Sequence, residues 1–134
     1  MNIPIRHILL IDDDQDDQYF FATALEEVNP DVQLSTAHEG GEAFEKLAVT
    51  RPDIILLDLV MPGMSGLSFL KAIKEHPGLS NIPVLVYTSD LSVYNAGDLV
   101  TLGAEKVMIK APDYGGTVEI ISRLLDLSPL RQSA

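Results

Sequence analysis

The stretch Ile54-Ile55-Leu56-Leu57-Asp58-Leu59-Val60-Met61-Pro62-Gly63-Met64-Ser65-Gly66 decides how the chain reads. Four apolar residues run without a break into a carboxylate, and a turn rich in Gly and Pro follows. An unbroken short apolar run fits a strand covered on both faces, as in the middle of a parallel sheet. Asp58 then stands at the carboxyl end of that strand, where open α/β sheets bind ligands. Asp is also common in ordinary turns, so one acid does not separate a site from a turn.

The flanking chain supplies the context. Ile8-Leu9-Leu10-Ile11 reads as a first buried strand closed by Asp12-Asp13-Asp14. A helix follows from about Gln15 to Val28, with Phe21, Leu25 and Val28 at i, i+4 and i+7 on one face. Asp14, Asp16 and Asp17 fall at its start, where a cap and acidic charge complement the helix dipole. Val32-Gln33-Leu34-Ser35 alternates apolar and polar, as a half-exposed edge strand does. Ala43, Phe44, Leu47 and Ala48 mark a second helix ending before Pro52, and Leu67, Phe69, Leu70 and Ile73 a third, stopped by Pro77-Gly78.

Val84-Leu85-Val86-Tyr87 is a fourth strand ended by Thr88-Ser89-Asp90. The helical pattern from about Leu91 to Leu102 is weaker and carries Gly97. Lys106 to Lys110 is a fifth strand, and Gly115-Gly116 precedes a last helix with Val118, Ile121 and Leu125. Five βα units in succession predict an α/β, (βα)5 doubly wound parallel sheet. The half-polar second strand belongs at an edge, which gives the flavodoxin-like order 2-1-3-4-5.

Bulk properties narrow the function. The 134 residues suffice for one domain with a real core, expected to span about 6–127 with a short tail at 128–134. A net charge of −11 argues against a nucleic-acid surface and against anionic membrane. There is no cysteine, so neither a disulfide framework nor a thiolate metal site exists. No segment has the length of a membrane span and no signal peptide precedes Asp12, so a cytoplasmic location is expected. His7, His38 and His76 lie apart without ligand spacing.

In this strand order the first and third strands are neighbours, about 4.8 Å apart. Asp12, Asp13 and Asp58 therefore crowd into one cleft, where two like charges about 4 Å apart repel by roughly 4 kcal/mol at an effective dielectric of about 20. Either one carboxylate keeps a proton or a cation binds. A few carboxylates, a backbone carbonyl and room for water and phosphate oxygens suit Mg²⁺ better than Ca²⁺. Thr88 and Lys110 end the fourth and fifth strands on the same rim, where a hydroxyl and an ammonium can hold an incoming phosphoryl group. Taken singly, Thr88 and Lys110 are ordinary strand-end residues, and Asp14, Asp16 and Asp17 read as solvated charges outside the site.

The stretches Ile8–Asp13, Ile54–Gly66, Val84–Thr88 and Met108–Lys110 resemble those of a response-regulator receiver domain, the CheY-like phosphoacceptor of two-component signalling. The resemblance spans about Arg6 to Leu127. It implies that Asp58 accepts the phosphoryl group, that Asp13 binds Mg²⁺ directly, and that Asp12 acts mainly through metal-bound water. Asp58 itself and the backbone carbonyl of Val60 would be further metal ligands, and Thr88 and Lys110 would each take a phosphoryl oxygen. It further implies a phosphoacceptor rather than a turnover enzyme, with self-catalysed phosphorylation and slow autodephosphorylation tuned by Val60 and Asp90. The implied partners are a sensor histidine kinase or histidine phosphotransfer protein and a downstream protein target. A stand-alone domain, monomeric or weakly dimeric, is expected.

Two positions depart from the family pattern. Lys110 is followed by Ala111-Pro112 rather than by Pro directly, so a trans Lys110–Ala111 bond, or a cis bond shifted to Ala111–Pro112, is expected. The position three before the lysine, commonly aromatic, is Val107, so the phosphorylation signal is expected to reach the face made by the fourth helix, fifth strand and fifth helix by another route. Rival readings are weaker. A haloacid-dehalogenase-type phosphatase needs an acid where Val60 stands, an FMN binder would meet three acids in its phosphate loop, and no P-loop Gly-Lys-Ser/Thr is present. A pseudo-receiver scaffold, folded alike but not phosphorylated, is the serious alternative, yet it usually lacks an acid or the lysine.

Overall fold

The five apolar runs become the strands, and each strand after the first begins only once the preceding helix has been stopped. A computed structural model describes residues 4–61, 65–91 and 94–126. The elements are β1 (His7–Ile11), α1 (Gln15–Val28), β2 (Gln33–Ala37), α2 (Gly40–Leu47), β3 (Ile54–Leu57), α3 (Gly66–Glu75), β4 (Val84–Thr88), α4 (Ala96–Thr101), β5 (Lys106–Ile109) and α5 (Tyr114–Leu125). All neighbouring strands pair in parallel in the order β2-β1-β3-β4-β5.

The alternation of side chains along each strand sorts the core into two layers. Ile8, Leu10, Ile54, Leu56, Leu85 and Tyr87 meet Phe21, Ala24 and Leu25 of α1 and Ile121 and Leu124 of α5. Leu9, Ile11, Ile55, Leu57, Val84 and Val86 meet Ala43 and Leu47 of α2, Phe69, Leu70 and Ile73 of α3, and Leu99 of α4. β1, β3 and β4 are buried along their whole length, whereas β2 keeps only Ala37 buried. That contrast is why the apolar runs are central and the alternating one lies at an edge.

The element boundaries differ from the sequence expectation in instructive ways. β2 starts at Gln33 and runs on to Ala37, because β1 offers a register from His7↔Gln33 to Ile11↔Ala37. α4 is only Ala96–Thr101; Asn95 caps it through the N–H groups of Gly97 and Asp98, so Gly97 sits in its first turn instead of interrupting it. Gly115 and Gly116 likewise lie inside α5, which Asp113 caps through the Gly116 N–H at 2.7 Å. A Cβ on Gly116 would stand 2.5 Å from the Ala111 Cβ, so the close approach of this turn to the loop after β5 requires glycine. Every described peptide bond is trans, Lys110–Ala111 included. The turn expected at Pro62-Gly63-Met64, part of the segment before α4 and the tail at 128–134 lie outside the described residues.

Candidate functional site at the strand carboxyl ends

Sheet hydrogen bonding continues one residue beyond β1, β3 and β5 and holds the site residues in strand geometry. The N–H of Asp12 donates to the Ala37 carbonyl at 2.9 Å, that of Asp58 to Ile11 at 2.9 Å, and that of Lys110 to Thr88 at 2.8 Å. The start of α3 presses on Asp58 from behind: the Gly66 N–H donates to the Leu59 carbonyl at 3.2 Å. A Cβ on Gly66 would lie 2.4 Å from the Asp58 carbonyl oxygen and 2.6 Å from the Leu59 Cα. No residue but glycine fits there without moving the backbone that carries Asp58.

The expected residues meet in one cluster. Asp12 is fully buried, Asp58 and Thr88 are buried, and Asp13 is exposed at the mouth. The Thr88 hydroxyl donates to Asp58 Oδ1 at 3.1 Å, and the Val60 N–H reaches the same oxygen at 3.3 Å. Lys110 Nζ faces the other oxygen, Oδ2, at 3.4 Å and lies 2.6 Å from Asp12 Oδ2. Val60 turns its side chain to solvent, and Asp90 is exposed. Val107 is half-buried against the α2–α3–α4 layer, so no ring stands at that position.

Burial raises the Asp12 carboxyl from the ordinary 3.8 to about 6, against hydrogen bonds from Lys110 and the Asp14 N–H; the Asp58 charge adds to the rise. Burial opposes the charged form of Lys110, but its hydrogen bonds to Asp12 and Asp17 and the charges of Asp12 and Asp58 outweigh that cost, and its pKa rises above the ordinary lysine value. The lysine is therefore a permanent cation at the site. Carboxylate oxygens of Asp12, Asp13 and Asp58 lie within 4.8 Å of one another, the one such metal-competent group among the described residues. An all-oxygen carboxylate set is the donor chemistry of a hard divalent cation, which would compete with the proton that burial favours on Asp12.

α1 contributes more than was expected of it. Asp14 caps the helix through the N–H groups of Asp16 and Asp17, as a solvated helix-start charge should, and Asp16 is exposed. Asp17 is not a bystander: its Oδ2 lies 2.8 Å from Lys110 Nζ. Gln18, which carried no sequence signal, donates through Nε2 to the Asp12 carbonyl at 2.6 Å and to the Ala37 carbonyl at 3.3 Å. Asp17 and Lys110 are 93 positions apart, and only the packing of α1 beside α5 brings them together. Beneath the ammonium lies the Tyr87 ring, 5.7 Å from its centroid, at the floor of a cavity of about 320 Å³ that Phe20, Tyr114 and Thr117 also line. The three histidines lie elsewhere: His7 Nε2 bonds the Ser35 hydroxyl at 2.7 Å, His38 lies near Gln18, and His76 accepts the Gly78 N–H.

Comparison with known proteins identifies a family and a fold. The response regulator receiver domain family matches residues 8–121. The DNA-binding transcriptional regulator NtrC of Escherichia coli (strain K12) is 32% identical over 119 residues, which cover 88% of this chain and 24% of NtrC. The chain thus spans about a quarter of the length of such curated relatives. The phosphorylated cyanobacterial phytochrome response regulator RcpA is similar in structure, with a TM-score of 0.79 at 27% identity over 90% of this chain and 91% of RcpA. The Mn²⁺-bound response regulator Rcp1 gives a TM-score of 0.79 at 25% identity over 89% and 91% of the two chains. Nothing at the strand ends favours a pseudo-receiver, since each acid, the hydroxyl and the lysine are in place. With that site on the fold described, and with the family match running from β1 into α5, the chain belongs to the response regulator receiver domain family.

Proposed function

We propose that Asp58 accepts a phosphoryl group from the phosphohistidine of a sensor kinase or histidine phosphotransfer protein, and that the phosphorylated domain signals by protein–protein contact. The observation that carries this reading is the environment of the Asp58 carboxylate: a hydroxyl donor on Oδ1 and an ammonium facing Oδ2. A carboxylate oxygen of Asp58 attacks phosphorus, the N–P bond breaks, and its electron pair leaves with the imidazole; an acyl phosphate remains. Positioning and electrostatics supply most of the catalysis of such a transfer.

Thr88 would pass its hydroxyl from Asp58 to a phosphoryl oxygen, and Lys110 would offset a second oxygen's charge. Asp12, Asp13, Asp58 and the Val60 carbonyl would hold Mg²⁺, which when bound neutralises charge on the transferring group. RcpA is described as phosphorylated and Rcp1 as bound to Mn²⁺; the oxygen donors here support the same two chemistries in this chain. Attack of water on the acyl phosphate returns the Asp58 carboxylate and releases inorganic phosphate, so the domain acts on itself rather than as a turnover enzyme. Incubation with Mg²⁺ and phosphoramidate, read by intact mass, tests this. One added phosphoryl group is expected on the wild-type chain and none on Asp58→Asn; a wild-type chain left unmodified, or an Asp58→Asn chain still modified, would overturn it.

A further inference from the structure

We infer that Asp17 is a counter-ion switch: it holds the Lys110 ammonium on the α1 side of the site until a phosphoryl group on Asp58 draws the ammonium away. The inference rests on the reading of Asp58 as phosphoacceptor.

Lys110 Nζ carries three donors and meets three acids, Asp12 at 2.6 Å, Asp17 at 2.8 Å and Asp58 at 3.4 Å. The first two distances are those of charge-assisted hydrogen bonds and the third is longer. The ammonium is therefore drawn off the acceptor, toward the first turn of α1. A phosphoryl group on Asp58 adds charge and strong acceptor oxygens on the opposite, acceptor side of the ammonium, and a move of Lys110 onto them loosens one of its two short contacts.

Asp17 is the partner that can yield. Its side chain is 39% exposed, so solvent takes over the released carboxylate, whereas that of Asp12 is fully buried. A carboxylate left unpaired at the Asp12 position is the costlier alternative. Release acts at the start of α1, three residues before Phe20, whose ring is half exposed at the cavity shared with Tyr87 and Tyr114. The state of Asp58 is thereby reported at the first turn of α1.

Beryllofluoride, which binds a receiving carboxylate in the presence of Mg²⁺ as a phosphoryl mimic, probes this on the full chain by fluorine NMR titration. Asp17→Asn should bind the mimic about 2- to 5-fold more tightly than wild type at saturating Mg²⁺, the worth of a part-exposed ion pair removed from competition. Asp17→Glu should restore the wild-type affinity. Asp16→Asn, the same charge change one residue away without the Lys110 contact, should leave it within error. On the wild-type chain the amide signals of Asp16 to Gln18 should shift with the mimic, and in Asp17→Asn that shift should be lost. Equal or weaker binding by Asp17→Asn, or the same gain in Asp16→Asn, would overturn the switch while Asp58-dependent binding by wild type left the acceptor reading standing. A wild-type chain that binds no beryllofluoride would overturn both.

Discussion

At the scale of single residues, Asp12 is where the fold bears the cost of the site. Its carboxyl is buried without exposure and raised from 3.8 to about 6. A carboxyl raised in the folded state binds its proton more readily folded than unfolded, so this group's contribution to stability is fully present below 3.8 and is lost as pH rises through about 6. A divalent cation reverses the preference, because it needs the deprotonated acid. The rise in melting temperature caused by Mg²⁺ should therefore be larger at about pH 7.5 than at about pH 5.5, and Asp12→Asn should lose the stabilisation at both; a shift independent of pH in the wild-type chain would contradict this account of Asp12. That Asp12, Asp13, Asp58, Thr88 and Lys110 would meet was legible in the sequence, since each stands at or just past the end of an apolar run. Asp17 and Gln18 were not, because a helix-start acid and amide look alike whether they face water or a lysine 93 positions away. What distinguishes them is how α1 lies against the sheet.

At the scale of elements, two helix starts fix the site. The first turn of α1 is tied to β1 and to the residue after β5 by Gln18 and Asp17. The first turn of α3 is pressed onto Asp58 by Gly66. Gly66→Ala would drive a Cβ into the Asp58 carbonyl, and since the obstacle is backbone, no rotamer relieves it. Such overpacking should cost about 1–3 kcal/mol in urea unfolding and slow phosphorylation by phosphoramidate, with Asp58 moved off Thr88. Unchanged stability and rate would show that the turn at Gly66 does not position the acceptor. The strand order followed from one element, since the half-polar β2 could only lie at an edge. α4 was overextended because its apolar spacing is weak and its true start is marked by Asn95, a cap that is also common in loops.

At the scale of the whole molecule, the sheet divides the chain into an α1–α5 layer and an α2–α3–α4 layer, with the site on the carboxyl edge between them. On the proposed function, Thr88 and Lys110 are the two groups that phosphorylation would move. Val107 is half-buried and offers no ring to turn when Thr88 moves. Lys110 leads into the loop where Ala111 packs on Gly116, and into α1. Amide shifts induced by beryllofluoride should therefore spread through residues 110–117 and the start of α1, and changes confined to Asp12, Asp13 and Asp58 would contradict an output through that loop. No described helix is long and apolar enough to cross a membrane, and the fold class was legible from five βα repeats alone. The contact of Lys110 with α1 was not, because it depends on how that helix packs against the sheet. On the proposed function one carboxylate, Asp58, carries the phosphoryl group. Borohydride reduction of the phosphorylated chain, which converts an acyl phosphate to an alcohol, followed by peptide mass mapping, tests it most directly. Reduction is expected at Asp58 alone. Reduction at Asp12, Asp13 or Asp17, or a phosphoryl group that resists borohydride altogether, would contradict it.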